Sequence, residues 1–157
     1  EAIQRRPFVG RSGKLLRKTL TEVGLKPEKV FISNIVKVRP PENRDPTPEE
    51  IEAYRPFLNK EIEILQPEII VTLGRFSMGK FLPDVKISQV HGHLHKVNWE
   101  GKNIFILPMY HPAAALYSGK TKISFLADFQ KIEKILDWIG QQKQTKKLKG
   151  NIEEILF

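Results

Sequence analysis

No cysteine occurs among the 157 residues, which excludes disulfides and any metal or cluster site built on this chain's own thiolates. Stability must come from packing. Long apolar runs are also missing: none approaches the ~20 residues of a membrane-spanning helix, and the first residues lack the apolar stretch of a signal peptide. A soluble, intracellular, monomeric protein with no membrane partner is expected. Acidic residues are the minority, 18 against 26 Lys and Arg, so the formal charge is +8 and the pI about 9.7. That balance favours polyanionic partners. Part of the surplus clusters as Lys143, Lys146, Lys147 and Lys149 in a Gln-rich segment. Residues 140–157 are therefore expected to form a mobile basic tail, whose apolar end from Ile152 to Phe157 docks on the preceding domain.

A chain of this size with 40% hydrophobic residues holds one domain with a real core. Its pattern alternates helix and strand. Leu15, Leu16, Leu20 and Val23 predict a helix over 13–23 that stops at Gly24. The β-branched run 30–36 predicts a buried strand. Thr47, Pro48 and Glu50 form a helix-start signature, with Ile51, Tyr54, Phe57, Leu58, Ile62 and Leu65 as the inward stripe. Residues 69–73 predict a second buried strand, 75–81 a helix, and 94–97 and 102–109 a strand pair across a turn at 98–101. A last helix is expected over 124–139, burying Phe125, Phe129, Ile132, Ile135, Leu136 and Ile139. Trp99 and Trp138 read as hairpin and helix packing residues. Buried strands separated by helices imply an α/β fold, a three-layer α/β/α arrangement with a mainly parallel sheet. One domain is expected over 1–139.

In such a sheet Asn34, Gly74 and His111 each follow a strand and share one rim, where open α/β folds bind ligands. His111 stands where an apolar strand gives way to a helix start, beside backbone N–H groups that favour anions. His91, His93 and His95 alternate and would share a face on a strand; a polar strand face near a turn explains them without a metal, and no metal site is expected.

Three segments recur together: PFVGRSG at 7–13, SNIVKVRPPENRDP at 33–46 and YHPAA at 110–114. In this order and spacing the chain resembles the uracil-DNA glycosylase superfamily, most closely its thermostable iron–sulfur branch, family 4. The likeness extends over about 1–139. It implies a uracil-DNA glycosylase-like fold, N-terminally incomplete because the family's first strand and Gly-Glu-x-Pro-Gly-x-x-Glu loop are represented here by Glu1 alone. It also implies hydrolysis of the N-glycosidic bond of deoxyuridine flipped out of uracil-containing DNA, leaving an abasic site. The alternative is a catalytically weak DNA- or uracil-binding module of the same fold.

Under this resemblance Phe8 stacks on the flipped base, although a core Phe anchoring its loop explains the residue equally well. The Asn34 amide both accepts and donates, so it can pair with N3–H and O4 of uracil; its other role would be a turn residue satisfying its own backbone. His111 donates to O2 as the base leaves with negative charge. Glu1 helps position the water or the substrate. Arg11, Lys37, Arg39, Asn43, Arg44, Ser118 and Lys120 are the expected DNA contacts, with an Arg44–Asp45 pair as the structural alternative. Two of the branch's four cluster cysteines would fall at Tyr54 and Ile70, so no iron–sulfur cofactor is expected, with these two side chains packing in its place.

Overall fold

Helix α1 (Arg11–Glu22) buries Gly13, Leu16 and Thr19 and ends where expected. Gly24 adopts φ 79°, a conformation that costs glycine little, and Leu25 N–H then donates to Leu20 O at 2.9 Å. The computed structural model describes residues 7–155, with side-chain surroundings described over 7–147.

The predicted start of α2 (Pro48–Leu65) is present in detail. Thr47 Oγ1 accepts from Glu50 N–H at 3.2 Å, and Glu50 Oε2 accepts from Thr47 N–H at 2.9 Å. Arg44 clamps the same carboxylate from outside with two bonds of 2.8 and 2.6 Å. The guanidinium, and after it the Thr47 N–H, hold the Glu50 carboxyl at about 2, below its ordinary 4.5. A carboxylate depressed on folding stabilises the fold above its unfolded pKa and loses that contribution as pH falls through the folded value. Urea midpoints measured from pH 5 down to 2 should therefore fall less steeply in Glu50→Gln than in the parent. Parallel curves would show that the clamp contributes nothing.

The inward stripe of α2 is narrower than the sequence suggests. Ile51, Tyr54 and Leu58 are half-buried and Ile62 is buried, but Phe57 and Leu65 stand 61% and 46% exposed. Phe57 precedes Leu58 by one residue, which is about 100° of helical rotation, and falls off the packed face.

The sheet has the order β1 (Ile70–Leu73), β3 (Lys102–Met109), β2 (His95–Trp99). β1 runs parallel to β3 with Ile70 opposite Ile106 and Leu73 opposite Met109, while β2 is antiparallel to β3. The fold is α/β as expected, but the sheet is mixed rather than mainly parallel among the described residues. The hairpin closes on two residues, Glu100 and Gly101, both at positive φ (47° and 78°), which matches the twist of the flanking strands.

The run 30–36 is the clearest departure, because no strand forms there: the chain bends over 35–38. Val36 is buried and Ile32 packs against the core, so the burial read from the β-branched pattern is real. A ladder also needs a neighbour offering its N–H and C=O groups, and periodicity supplies none.

Helices α3 (Arg75–Gly79), α4 (Ile87–Val90) and α5 (Pro112–Tyr117) are short. The single helix expected over 124–139 is two, α6 (Gly119–Phe129) and α7 (Ile132–Ile155). Ser118 Oγ caps α6 by accepting Thr121 N–H, and the chain bends at 130–131 while Phe125, Phe129, Ile132 and Ile139 all stay buried. α7 runs on past 139 to Ile155, where a mobile tail was expected, and Lys143 meets Glu68 at 3.6 Å. The side chains from Ile152 to Phe157 lie outside the described residues. Leu107 and Met109 of β3, Leu16, Ala115, Phe125, Phe129, Ile132 and Phe8 form the core. No described helix is long and apolar enough to cross a membrane.

Candidate active site at the strand-end histidine

The parallel pairing of β1 with β3 continues one residue beyond the strands, as Gly74 N–H donates to Met109 O at 2.9 Å. Gly74 has φ 86°, and a Cβ placed on it would stand 3.1 Å from the Cβ of His111. A side chain on Gly74 would crowd His111 and strain the positive-φ backbone, so glycine suits this close approach. His111 is the N-cap of α5, with Pro112 at the first helical position, and its Nδ1 accepts Ala113 N–H at 3.1 Å. A nitrogen that accepts carries no proton. In its neutral form the ring then carries its proton on Nε2.

Phe8 lies against this histidine, with ring centroids 5.5 Å apart and planes 30° from parallel. Its backbone is in the left-handed region (φ 57°), unusual for a bulky residue, and α1 begins three residues later. Gly13 makes the bend possible, since a Cβ there would sit 1.8 Å from Phe8 O. The Phe8 ring is only 8% exposed and belongs to the core cluster. It anchors its loop and contacts His111 at once.

Asn34 is exposed, and its Oδ1 accepts Ile35 N–H at 2.8 Å, which leaves Nδ2 as its donor. A surface hollow of about 310 Å³ is lined by Gly92, Lys131, Lys134 and Trp138 among others, and by none of Phe8, Asn34 and His111. Several of the expected DNA contacts are held by protein groups. Lys37 Nζ meets Glu61 at 2.8 Å and Ser33 Oγ at 2.6 Å. Arg39 donates to Asn43, which has φ 56°. Arg44 pairs with Glu50 and donates to the backbone O of Asp45 at 3.0 Å, whereas the Asp45 carboxylate pairs with Arg75 at 2.5 Å. Arg11 and Lys120 are exposed in the first turns of α1 and α6, beside the Ser118 cap. Glu1 lies outside the described residues.

Of the residues named from the sequence likeness, His111 and Phe8 are in ring contact and Asn34 lies in the loop after the apolar run. The comparison with known proteins agrees: the profile of the uracil DNA glycosylase superfamily matches residues 1–137. The chain belongs to this superfamily. It is 41% identical over 138 residues to the type-4 uracil-DNA glycosylase of Archaeoglobus fulgidus, covering 84% of this chain and 69% of that protein. It is 43% identical to the type-4 enzymes of Sulfurisphaera tokodaii, over 83% of this chain and 62% of the relative, and of Saccharolobus solfataricus, over 87% and 66%. These relatives place it in the type-4 branch, and the chain spans about two thirds of their length.

For this superfamily member the iron–sulfur cluster of its branch does not fit the residues present. At the two in-chain positions stand Tyr54, half-buried with its ring 6.3 Å from Phe57, and Ile70, half-buried at the start of β1. Neither side chain supplies a thiolate, and the chain holds no cysteine. Among the described residues no three His, Cys, Asp or Glu side chains gather to hold a metal. His91, His93 and His95 share no strand face: only His95 lies on β2, while His91 sits in the 91–92 turn and His93 in the link that follows it.

His91 has a partner that the motif reading missed, the buried carboxylate of Asp128 at 2.5 Å. The signal was legible: Asp128 interrupts the inward stripe between Phe125 and Phe129, where an acid must find a partner or shift its charge.

Proposed function

We propose that this chain hydrolyses the N-glycosidic bond of deoxyuridine turned out of DNA, leaving an abasic site, as the first step of base excision repair. The observation that carries the reading is the geometry of His111, whose Nδ1 is occupied by Ala113 N–H so that Nε2–H is the donor. As the bond breaks the base leaves as an anion, and a fixed neutral donor at O2 stabilises the charge that develops there without reorganising. The sugar, oxocarbenium-like at that point, is attacked by water from its other face. Glu1 is the residue assigned to that water by family likeness.

Asn34 reads the base. Its Nδ2 donates to O4, and the second lone pair of Oδ1 accepts N3–H, a pairing that cytosine reverses. Phe8 backs the site through its contact with His111, and Arg11 and Lys120 are the foremost phosphate contacts because both are exposed at helix starts. Lys37, Arg39 and Arg44, already paired within the protein, act mainly by holding the loop that carries Asn34 and Asn43.

A uracil-containing oligonucleotide, with matched thymine and cytosine strands as controls, tests the proposal. Release of free uracil and an alkali-labile abasic site is the expected result; binding without release would favour the catalytically weak binding module. In Asn34→Asp the carboxylate cannot donate to O4, and leaving that oxygen unpaired in the closed complex costs ~1–3 kcal/mol. Single-turnover uracil release should drop by roughly 10- to 100-fold. An unchanged rate would remove Asn34 from base reading.

A further inference from the structure

We propose that His91 is a positioning residue for His111, acting through Tyr110; the proposal rests on the excision reading given above. Asp128 on α6 is only 3% exposed, and both of its oxygens are engaged. Oδ2 accepts from His91 Nδ1–H at 2.5 Å and Oδ1 from Lys131 Nζ at 2.8 Å, while the same Nζ reaches Gly92 O at 3.4 Å. Gly92 N–H donates to Pro108 O of β3 at 2.7 Å. The turn sits so close to α6 that a Cβ on Gly92, at φ 70°, would fall 2.0 Å from Asp128 Oδ1. The 91–92 turn is thereby fastened on one side to α6 and on the other to the last residues of β3.

From this anchored turn the His91 ring packs on the Tyr110 ring, with centroids 4.4 Å apart and planes 37° from parallel. Tyr110 is the residue between Met109, which ends β3, and His111, which caps α5. The backbone step that carries the His111 ring is therefore held at one end by Gly74 and by His91 in between. An ionised carboxylate only accepts, so it fixes the His91 tautomer and ring plane as well as its place. Displacing a reacting group by ~1 Å costs up to about 10²-fold in rate, enough for a remote brace to matter.

The test uses the full chain and four variants: His91→Ala, His91→Asn, His111→Ala and the His91→Ala/His111→Ala double variant. His91→Ala should slow single-turnover uracil release roughly 10- to 100-fold, with affinity for the same oligonucleotide unchanged. His91→Asn, whose amide can donate to Asp128 but offers Tyr110 no ring, should recover little of that loss; full recovery would overturn the route through Tyr110. In the His111→Ala background the loss should vanish, because His91 then has nothing to position; losses that multiply would overturn the inference. A second readout needs no turnover. The ¹⁵N resonances of His111 should report one tautomer, with the proton on Nε2, in the parent and a tautomer average in His91→Ala. Unchanged resonances would overturn the brace whatever the activity. A parent that releases no uracil but shows this spectral change would defeat the excision reading alone.

Discussion

Replacing His111 by alanine is expected to slow single-turnover uracil release by about 10²- to 10³-fold while affinity for the DNA stays within a few-fold. The figure follows from losing one preorganised donor, worth ~2.7–4 kcal/mol when its bond strengthens only as charge develops. Binding should survive because the proposed phosphate contacts lie on other elements: Arg11 opens α1 and Lys120 lies in the first turn of α6. His111→Gln is the informative companion. Its amide can donate but lacks a ring nitrogen to accept Ala113 N–H, so part of the rate should return without the N-cap. Equal rates for parent and alanine variant would place the chemistry elsewhere.

The second large effect is expected at a residue with no functional group. In Gly13→Ala the new methyl would stand 1.8 Å from Phe8 O and 2.0 Å from its carbonyl carbon, backbone atoms that cannot swing aside as a side-chain tip would. The bend at Phe8 must open, and the ring must withdraw from His111 and from the core formed with Leu16, Met109 and Phe125. Forced repacking of this kind costs ~1–3 kcal/mol, and a domain of this size loses roughly 2–4 °C of Tm for each kcal/mol. Thermal unfolding should therefore come several degrees earlier, with uracil release reduced as well. A variant with unchanged Tm would mean that the loop relaxes freely and that Phe8 is not held by this contact.

The start of α2 and the hairpin were legible because their chemistry is local. Thr47 with Glu50 three residues on caps α2 within one turn of chain, and Glu100-Gly101 closes β2 on β3 through its own backbone angles. The strand expected over 30–36 was not, since a ladder is made by two segments and only one of them can be read from its own pattern. The basic loop shows a similar divide. Its composition suggests phosphate contacts, yet Lys37 turns to Glu61 and Arg44 to Glu50, partners that lie 24 and 6 residues away. Coulomb attraction depends on distance in space, and opposite charges close to ~3 Å lower each other's energy wherever the fold allows.

By itself the sequence determined the family, the α/β class, the absence of thiolate ligands and the identity of His111, Asn34 and Phe8 as the residues to examine. Each of these depends on residue type and order along the chain. Only the tertiary structure decided that His111 Nδ1 accepts Ala113 N–H, that Phe8 is buried against this ring through the space Gly13 leaves, and that Asp128 reaches across 37 residues to His91. Those facts depend on which groups are brought within hydrogen-bonding or contact distance. That proximity is set by the packing of β3 between its neighbours and against the helices, and the energies involved fall off within a few ångströms.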